Sequence, residues 1–229
     1  MRGKLDNQIK KYFTFYLESM MLPYIIPFAI YIGLSLIGSS FENGTYFIYP
    51  IKTVAVAISL LVYRKSYFEL YHKIKLKSVF LAGVVGCTVF IIWILPEGRY
   101  PTLGESQFNP FIFESNSWIV FLISFRLIGA VLVVPMFEEL FWRSFLIRWI
   151  INQDFKKVPI GKFSWVSFIL IVIFFGLEHH RWLVGMAAAV LYNGLLYQQK
   201  NLWSCIIAHA VTNLALGIYV LVTQQWGYW

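Results

Sequence analysis

Residues 131–150 read VLVVPMFEELFWRSFLIRWI. Two questions sit in this one stretch: how the chain divides into helices around Pro135, and why Glu138, Glu139 and Arg143 lie inside a hydrophobic run. The apolar character begins upstream at Trp118, so an unbroken helix would extend over about 30 residues. Proline lacks an amide donor and crowds the preceding turn. The stretch therefore reads either as two helices, 118–134 and 136–151, or as one long kinked helix.

Working outward, further apolar runs occupy residues 20–35, 54–63 with a lead-in from residue 44, 79–95, 163–177, 183–197 and 202–222. A bilayer crossing needs about 20 largely apolar residues. The chain as a whole is 59% hydrophobic and 13% charged, against about 25% charged in soluble domains. There is too little polar surface to coat a water-soluble particle. The expected fold is all-α, a polytopic transmembrane bundle of seven or eight helices. Its parts read as a basic N-terminal tail (1–19), N-terminal transmembrane helices and loops (20–117), a motif-bearing helical core (118–222) and a C-terminal tail (223–229). No short apolar core with a small-residue cleavage site marks the N-terminus as a secretory signal.

The net charge of +8 is distributed by topology. Basic residues cluster at Arg2, Lys4, Lys10 and Lys11, at Arg64, Lys65, Lys73, Lys75 and Lys77, and at Arg148, Lys156, Lys157 and Lys162, whereas residues 96–117 hold only Arg99. Cytoplasmic loops carry this excess of Lys and Arg. Seven crossings put all three clusters inside, with the N-terminus cytoplasmic and the C-terminus outside. An eighth crossing would move the loop at Lys156 and Lys157 outside, against that tendency. A membrane protein in contact with lipid accounts for the charge without nucleic acid. Cys87 and Cys205 both lie in apolar runs, which excludes a disulfide scaffold and reads each as a small buried hydrophobe.

Charge inside a span is costly and marks a requirement. Glu139 and Arg143 are four apart and share a helix face, whereas Glu138 points about 100° away. Arg143 is thus expected to neutralise and position Glu139, leaving Glu138 facing a polar cavity. A second island ends the run SFILIVIFFGLEHHRWLV, in Glu178, His179 and His180. There Phe175 lies one turn before His179 and can back its ring, while Gly176 admits a close helix neighbour. A third places His209 and Asn213 four apart on one face among small residues. His72, the remaining histidine, reads as a surface residue in a basic loop.

Brought together, these groups suit hydrolysis. A carboxylate and a histidine can deprotonate water, and a second histidine with an amide can hold the developing oxyanion. No Ser, Thr or Cys has an equal claim as nucleophile. The residues Glu138, His179 and His209 could alternatively bind a divalent metal such as zinc with one open position, although the chain lacks an HExxH helix. Spacing does not choose between the metal-assisted and metal-free forms.

The ordered trio EExxxR (Glu138 to Arg143), FxxxH (Phe175 to His179) and HxxxN (His209 to Asn213) resembles the CAAX protease and bacteriocin-processing family, which includes the type II prenyl-protein endopeptidases. The resemblance implies an intramembrane peptidase. Glu138 would be its catalytic glutamate, His179 the partner of Glu138 on the water, His209 and Asn213 the oxyanion stabilisers, and Glu139 and Arg143 the supports. It favours eight helices, a hydrophobic or lipidated peptide or protein substrate, and a bacterial cytoplasmic membrane. Glu178 and His180, flanking His179, depart from the usual pattern and stand as modulators. Two other functions would use the same residues: a proton-coupled small-molecule transporter, and a non-catalytic immunity or interaction protein.

Overall fold

The computed structural model describes residues 2–104 and 108–229, with side chains from residue 20 onward. Among the described residues there are seven helices and no strand: α1 (Arg2–Ser39), α2 (Gly44–Val62), α3 (Leu76–Ile94), α4 (Asn116–Ile151), α5 (Trp165–Leu177), α6 (Trp182–Gln199) and α7 (Leu202–Thr223). In α1 the stretch Met20–Ser39, together with α2, α3, α4 and α7, makes five helices long and apolar enough to cross a membrane. By contrast α5 has 13 residues, a rise of about 20 Å against a hydrocarbon core of about 30 Å. Apolar side chains point outward along the long helices, with Leu76 85%, Phe80 73% and Val222 77% exposed. Soluble proteins rarely present such surfaces. The chain is a multi-pass integral membrane protein.

The stretch around Pro135 resolves into one continuous helix. α4 runs unbroken for 36 residues, so the break into 118–134 and 136–151, and with it the count of eight, gives way to seven. The helix widens to π turns at Gly129–Val133, and Pro135 falls in the first turn of the α-helical stretch Val134–Glu139 that follows. A π turn shifts the hydrogen-bond ladder by one residue. Proline contributes no amide to that ladder, so one bond is lost where the turn widens. A second π stretch covers Leu140–Leu146, so the acidic pair sits between two places where the helix changes phase.

The other helices pair with one another through close backbone approaches. Gly86 of α3 faces α7, where a Cβ would overlap the carbonyl of Ala208 and the side chain of Val211; Thr212 Oγ1 donates to the Gly86 carbonyl at 2.9 Å. The hairpin of α5 and α6 closes at Gly176 and Gly185. A Cβ on Gly185 would lie 3.1 Å from Gly176 Cα and 3.4 Å from His179 Nδ1. At its start, α7 is capped by Asn201, whose side chain accepts from the Trp203 amide at 3.0 Å, which satisfies one of the free first-turn donors.

Two expectations change on folding. Arg148, grouped by sequence with a basic extramembrane cluster, is 1% exposed and ion-paired with Glu69. Cys87 lies exposed on the outer face of α3, whereas Cys205 is buried. An apolar run predicts burial in lipid or in protein alike, and only the helix phase decides which. His72 is exposed, as its loop position suggested.

Candidate active site

Three helices supply the polar centre. Glu138, Glu139 and Arg143 come from α4, Phe175 from the end of α5 with His179 in the turn that follows it, and His209 and Asn213 from α7. Arg143 Nη1 donates to Glu139 Oε1 at 3.2 Å, one helical turn away. The same oxygen lies 2.9 Å from His209 Nδ1, so Glu139 joins α4 to α7. Both Glu139 and Arg143 are 0% exposed, and the Arg143 guanidinium lies over the Phe175 ring at 4.1 Å. A buried ion pair with a ring on one side is a fixed electrostatic element.

Glu138 points the other way, as the 100° offset requires. It lines a cavity of about 610 Å³ shared with His179, His209 and Asn213. Its Oε2 has no protein hydrogen-bond partner and lies 4.0 Å from His209 Nε2. His179 Nδ1 is 2.7 Å from the Phe175 carbonyl oxygen. A carbonyl can only accept, so Nδ1 carries the proton and Nε2 of the neutral ring is left as an acceptor. Phe175 backs the imidazole with ring centroids 4.8 Å apart, and Trp93 meets it edge-on at 5.3 Å. Asn213 Nδ2 donates to the Ala130 carbonyl at 2.7 Å. Ala130 belongs to the first π stretch, so the change of phase in α4 and the orientation of Asn213 are one feature.

Residues 116–215 match a family model described as Rce1-like, type II CAAX prenyl endopeptidase Rce1-like. This segment is a CAAX-protease-like domain. It begins with the first residue of α4 and ends within α7, and so carries every residue of the three motifs. No curated protein and no solved structure matches the chain. At the family level the match supports a protease-like hydrolytic activity.

Within the CAAX-protease-like domain, the two residues flanking His179 have separate places. Glu178 lines the cavity and accepts from Trp142 Nε1 at 3.0 Å. His180 is turned to the rim, where its Nδ1 lies 2.6 Å from the Leu103 carbonyl and its own carbonyl accepts from the Leu103 amide at 2.8 Å. It fastens the α3–α4 connection over the α5–α6 turn. Among the described residues, no three His, Cys, Asp or Glu side chains are grouped closely enough to hold a metal ion. The set Glu138, His179 and His209 therefore does not fit the zinc site considered from sequence, and no chemical step is assigned to a metal.

Sequence reasoning passed over several residues that shape this centre. Tyr192 of α6 stacks on His209 at 5.4 Å and 24° and donates to Thr212 Oγ1 at 2.7 Å. Nothing in an apolar run distinguishes this tyrosine from its neighbours. Lys52 and Arg126 also line the cavity. Their signal was present, a single cation inside each of two apolar runs, and reading residues 44–63 and 118–134 simply as spans overlooked it.

Proposed function

We propose that the CAAX-protease-like domain hydrolyses a peptide bond near the terminus of a hydrophobic or lipid-modified substrate, using water activated by Glu138 and His179. The observation that carries this reading is the convergence of four groups on one cavity: an unpartnered carboxylate oxygen, a histidine whose tautomer leaves Nε2 as an acceptor, a second histidine and a primary amide. Water held between Glu138 and His179 Nε2 gives up a proton to the carboxylate as it attacks the scissile carbonyl. The oxyanion then forms beside His209 and Asn213.

The hydrogen bonds already described suit these roles. His209 Nδ1 faces the Glu139 carboxylate, which can only accept, so this nitrogen donates and the ring is oriented with Nε2 toward Glu138. As an imidazolium the ring would also donate through Nε2 to the oxyanion, the charge that offsets its own. Asn213 uses one amide hydrogen on Ala130 and keeps the second for the same oxygen. Glu138 returns its proton to the leaving amine, which completes the hydrolysis. Glu139 and Arg143 act by positioning, and Glu178 and Trp142 set the polarity of the wall. A cavity opening among apolar helices suits a substrate that is itself held in the membrane.

The test is cleavage of a hydrophobic peptide pool by the full chain in phospholipid nanodiscs, read by mass spectrometry. Glu138→Ala and His179→Ala should each lower kcat/KM by about 10²–10⁴-fold. Parent-like rates in both variants would remove these residues from the mechanism.

A further inference from the structure

At the end of the bundle where α1 and α7 finish and α5 turns into α6, the cavity is walled by Ser39, Arg181, Gly227, Tyr228 and Trp229. The last three belong to a short strap, residues 224–229, that follows α7. The helix gives way at Gln224, which holds a left-handed conformation with φ 57°, and a single turn, Trp226–Tyr228, comes next. Trp229 is thereby brought back beside α7, where a Cβ on Gly217 would lie 3.9 Å from its indole. Trp226, Tyr228 and Trp229 are buried against Phe108 and Leu216.

The strap and the frame around it are held differently. The α3–α4 connection is stitched to the α5–α6 turn by the two His180–Leu103 bonds, and by Trp182 Nε1 donating to the Pro101 carbonyl at 3.0 Å. Arg181 Nε and Nη2 add two bonds to the Glu97 carboxylate, at 2.9 and 2.7 Å. Within the strap, the amides of Trp226, Tyr228 and Trp229 donate to the carbonyls of Gln224, Gln225 and Trp226. Its tie to the frame runs through the same Arg181, whose Nη1 donates to the Gly227 carbonyl at 2.6 Å and whose guanidinium lies over the Tyr228 ring at 4.0 Å. One side chain, fixed by a carboxylate on one side, clasps the strap on the other. A partly exposed clasp of this kind is weak, and a segment whose backbone bonds are local opens at a lower free energy than the helices it covers.

We propose that residues 224–229 are a gate over this end of the cavity, hinged at Gln224 and latched by Arg181, and that the latched form restrains entry from water. Its consequence for cleavage rests on the hydrolytic reading of the same cavity; the gate itself does not. Swinging the strap outward breaks the Gly227 bond and the stacking of Tyr228, and water replaces both at the rim. Tryptophan and tyrosine rings are also at home at a membrane–water interface, which lowers the cost of lifting them off the bundle. The movement uncovers Leu216, which lines the cavity and packs against the strap.

The experiment uses the full chain in phosphatidylcholine nanodiscs, carrying Cys87→Ala and Leu216→Cys. Labelling of the introduced thiol by a water-soluble methanethiosulfonate is followed by mass spectrometry, and the buried native Cys205 reports in the same spectrum on loosening of the bundle. Arg181→Gln and, separately, Tyr228→Leu should speed labelling roughly tenfold, the scale of one charge-assisted contact, with Cys205 unchanged. Arg181→Lys keeps a charge over the Tyr228 ring but not the fork, and should fall between. An unchanged rate in both variants overturns the gate. Equal acceleration at Cys205 shows a loosened bundle and overturns it as well. Cleavage of a hydrophobic peptide pool is read in parallel on chains that keep Leu216, and Arg181→Gln should raise kcat/KM a few-fold. Slower cleavage with faster labelling would make the strap a required part of the site and overturn its restraining role. Absence of cleavage in every chain, the parent included, counts against the hydrolytic reading alone, and the labelling rates then decide the gate.

Discussion

One helix carries two buried arginine–glutamate networks, and they differ in how completely they are satisfied. At the cavity, Arg143 pairs with Glu139, yet Arg143 Nε and Nη2, Glu139 Oε2 and Glu138 Oε2 have no protein hydrogen-bond partner. Arg148, five residues further along α4, is held by the Ser144 carbonyl, Ser144 Oγ, the Val158 carbonyl and Glu69. Glu69 also accepts from Tyr24 and from Ser144 Oγ. No side-chain atom of Tyr24, Glu69, Ser144 or Arg148 is among the buried atoms without a partner. A closed network ties the α2–α3 connection and α1 to α4 and leaves nothing to react. An open one, costly in a dry interior, is what a reacting group requires.

This contrast can be broken most directly at the two carboxylates. Glu138→Gln keeps the shape and removes the proposed base, so peptide cleavage should fall by about 10²–10⁴-fold with little change in the unfolding midpoint. An equal loss of thermal stability would place Glu138 with the closed network instead. Arg148→Met should do the reverse. Leaving Glu69 buried and unpaired should cost roughly 3–5 kcal/mol, measured by unfolding in detergent, with cleavage per folded molecule preserved. Adding Glu69→Gln to it should recover much of that loss, because a neutral pair needs no compensating charge.

Smaller effects sharpen the boundary between the regions. Tyr192→Phe removes the bond to Thr212 but keeps the ring on His209. It should cost about 1 kcal/mol of stability and only a few-fold in kcat. The smallest effect is expected at the rim, where Arg181 donates to both oxygens of the half-exposed Glu97 and holds its carboxyl below the ordinary value of 4.5. A depressed carboxyl contributes stability above its unfolded pKa, and that contribution is lost as pH falls through the folded value. Glu97→Gln should therefore melt slightly below the parent at pH 7, and the difference should vanish in acid.

Much of the centre could be read in advance because its key relations are local. The i, i+4 pairing of Glu139 with Arg143 and the divergence of Glu138 follow from helical pitch alone. The same holds for Phe175 beneath His179. The relations that escaped notice join residues far apart in the chain, such as Tyr192 on His209, Asn213 on Ala130, and Lys52 beside Arg126. Pattern within a run says which residues share a face but not what that face meets. The burial of Arg148 was hidden for the same reason, since its partner Glu69 lies on a different connection.

The sequence by itself determined that this chain is an all-helical membrane protein and which short motifs concentrate its charge, because hydropathy and helical period act over a few turns. Tertiary structure decided that Pro135 sits within a continuous helix, because the π turns before it shift the ladder at that point. It also decided that three helices bring their polar residues to one cavity, and that two further cations face it. Those outcomes depend on helix phase and on backbone contact at Gly86, Gly176 and Gly185, which no single helix specifies alone.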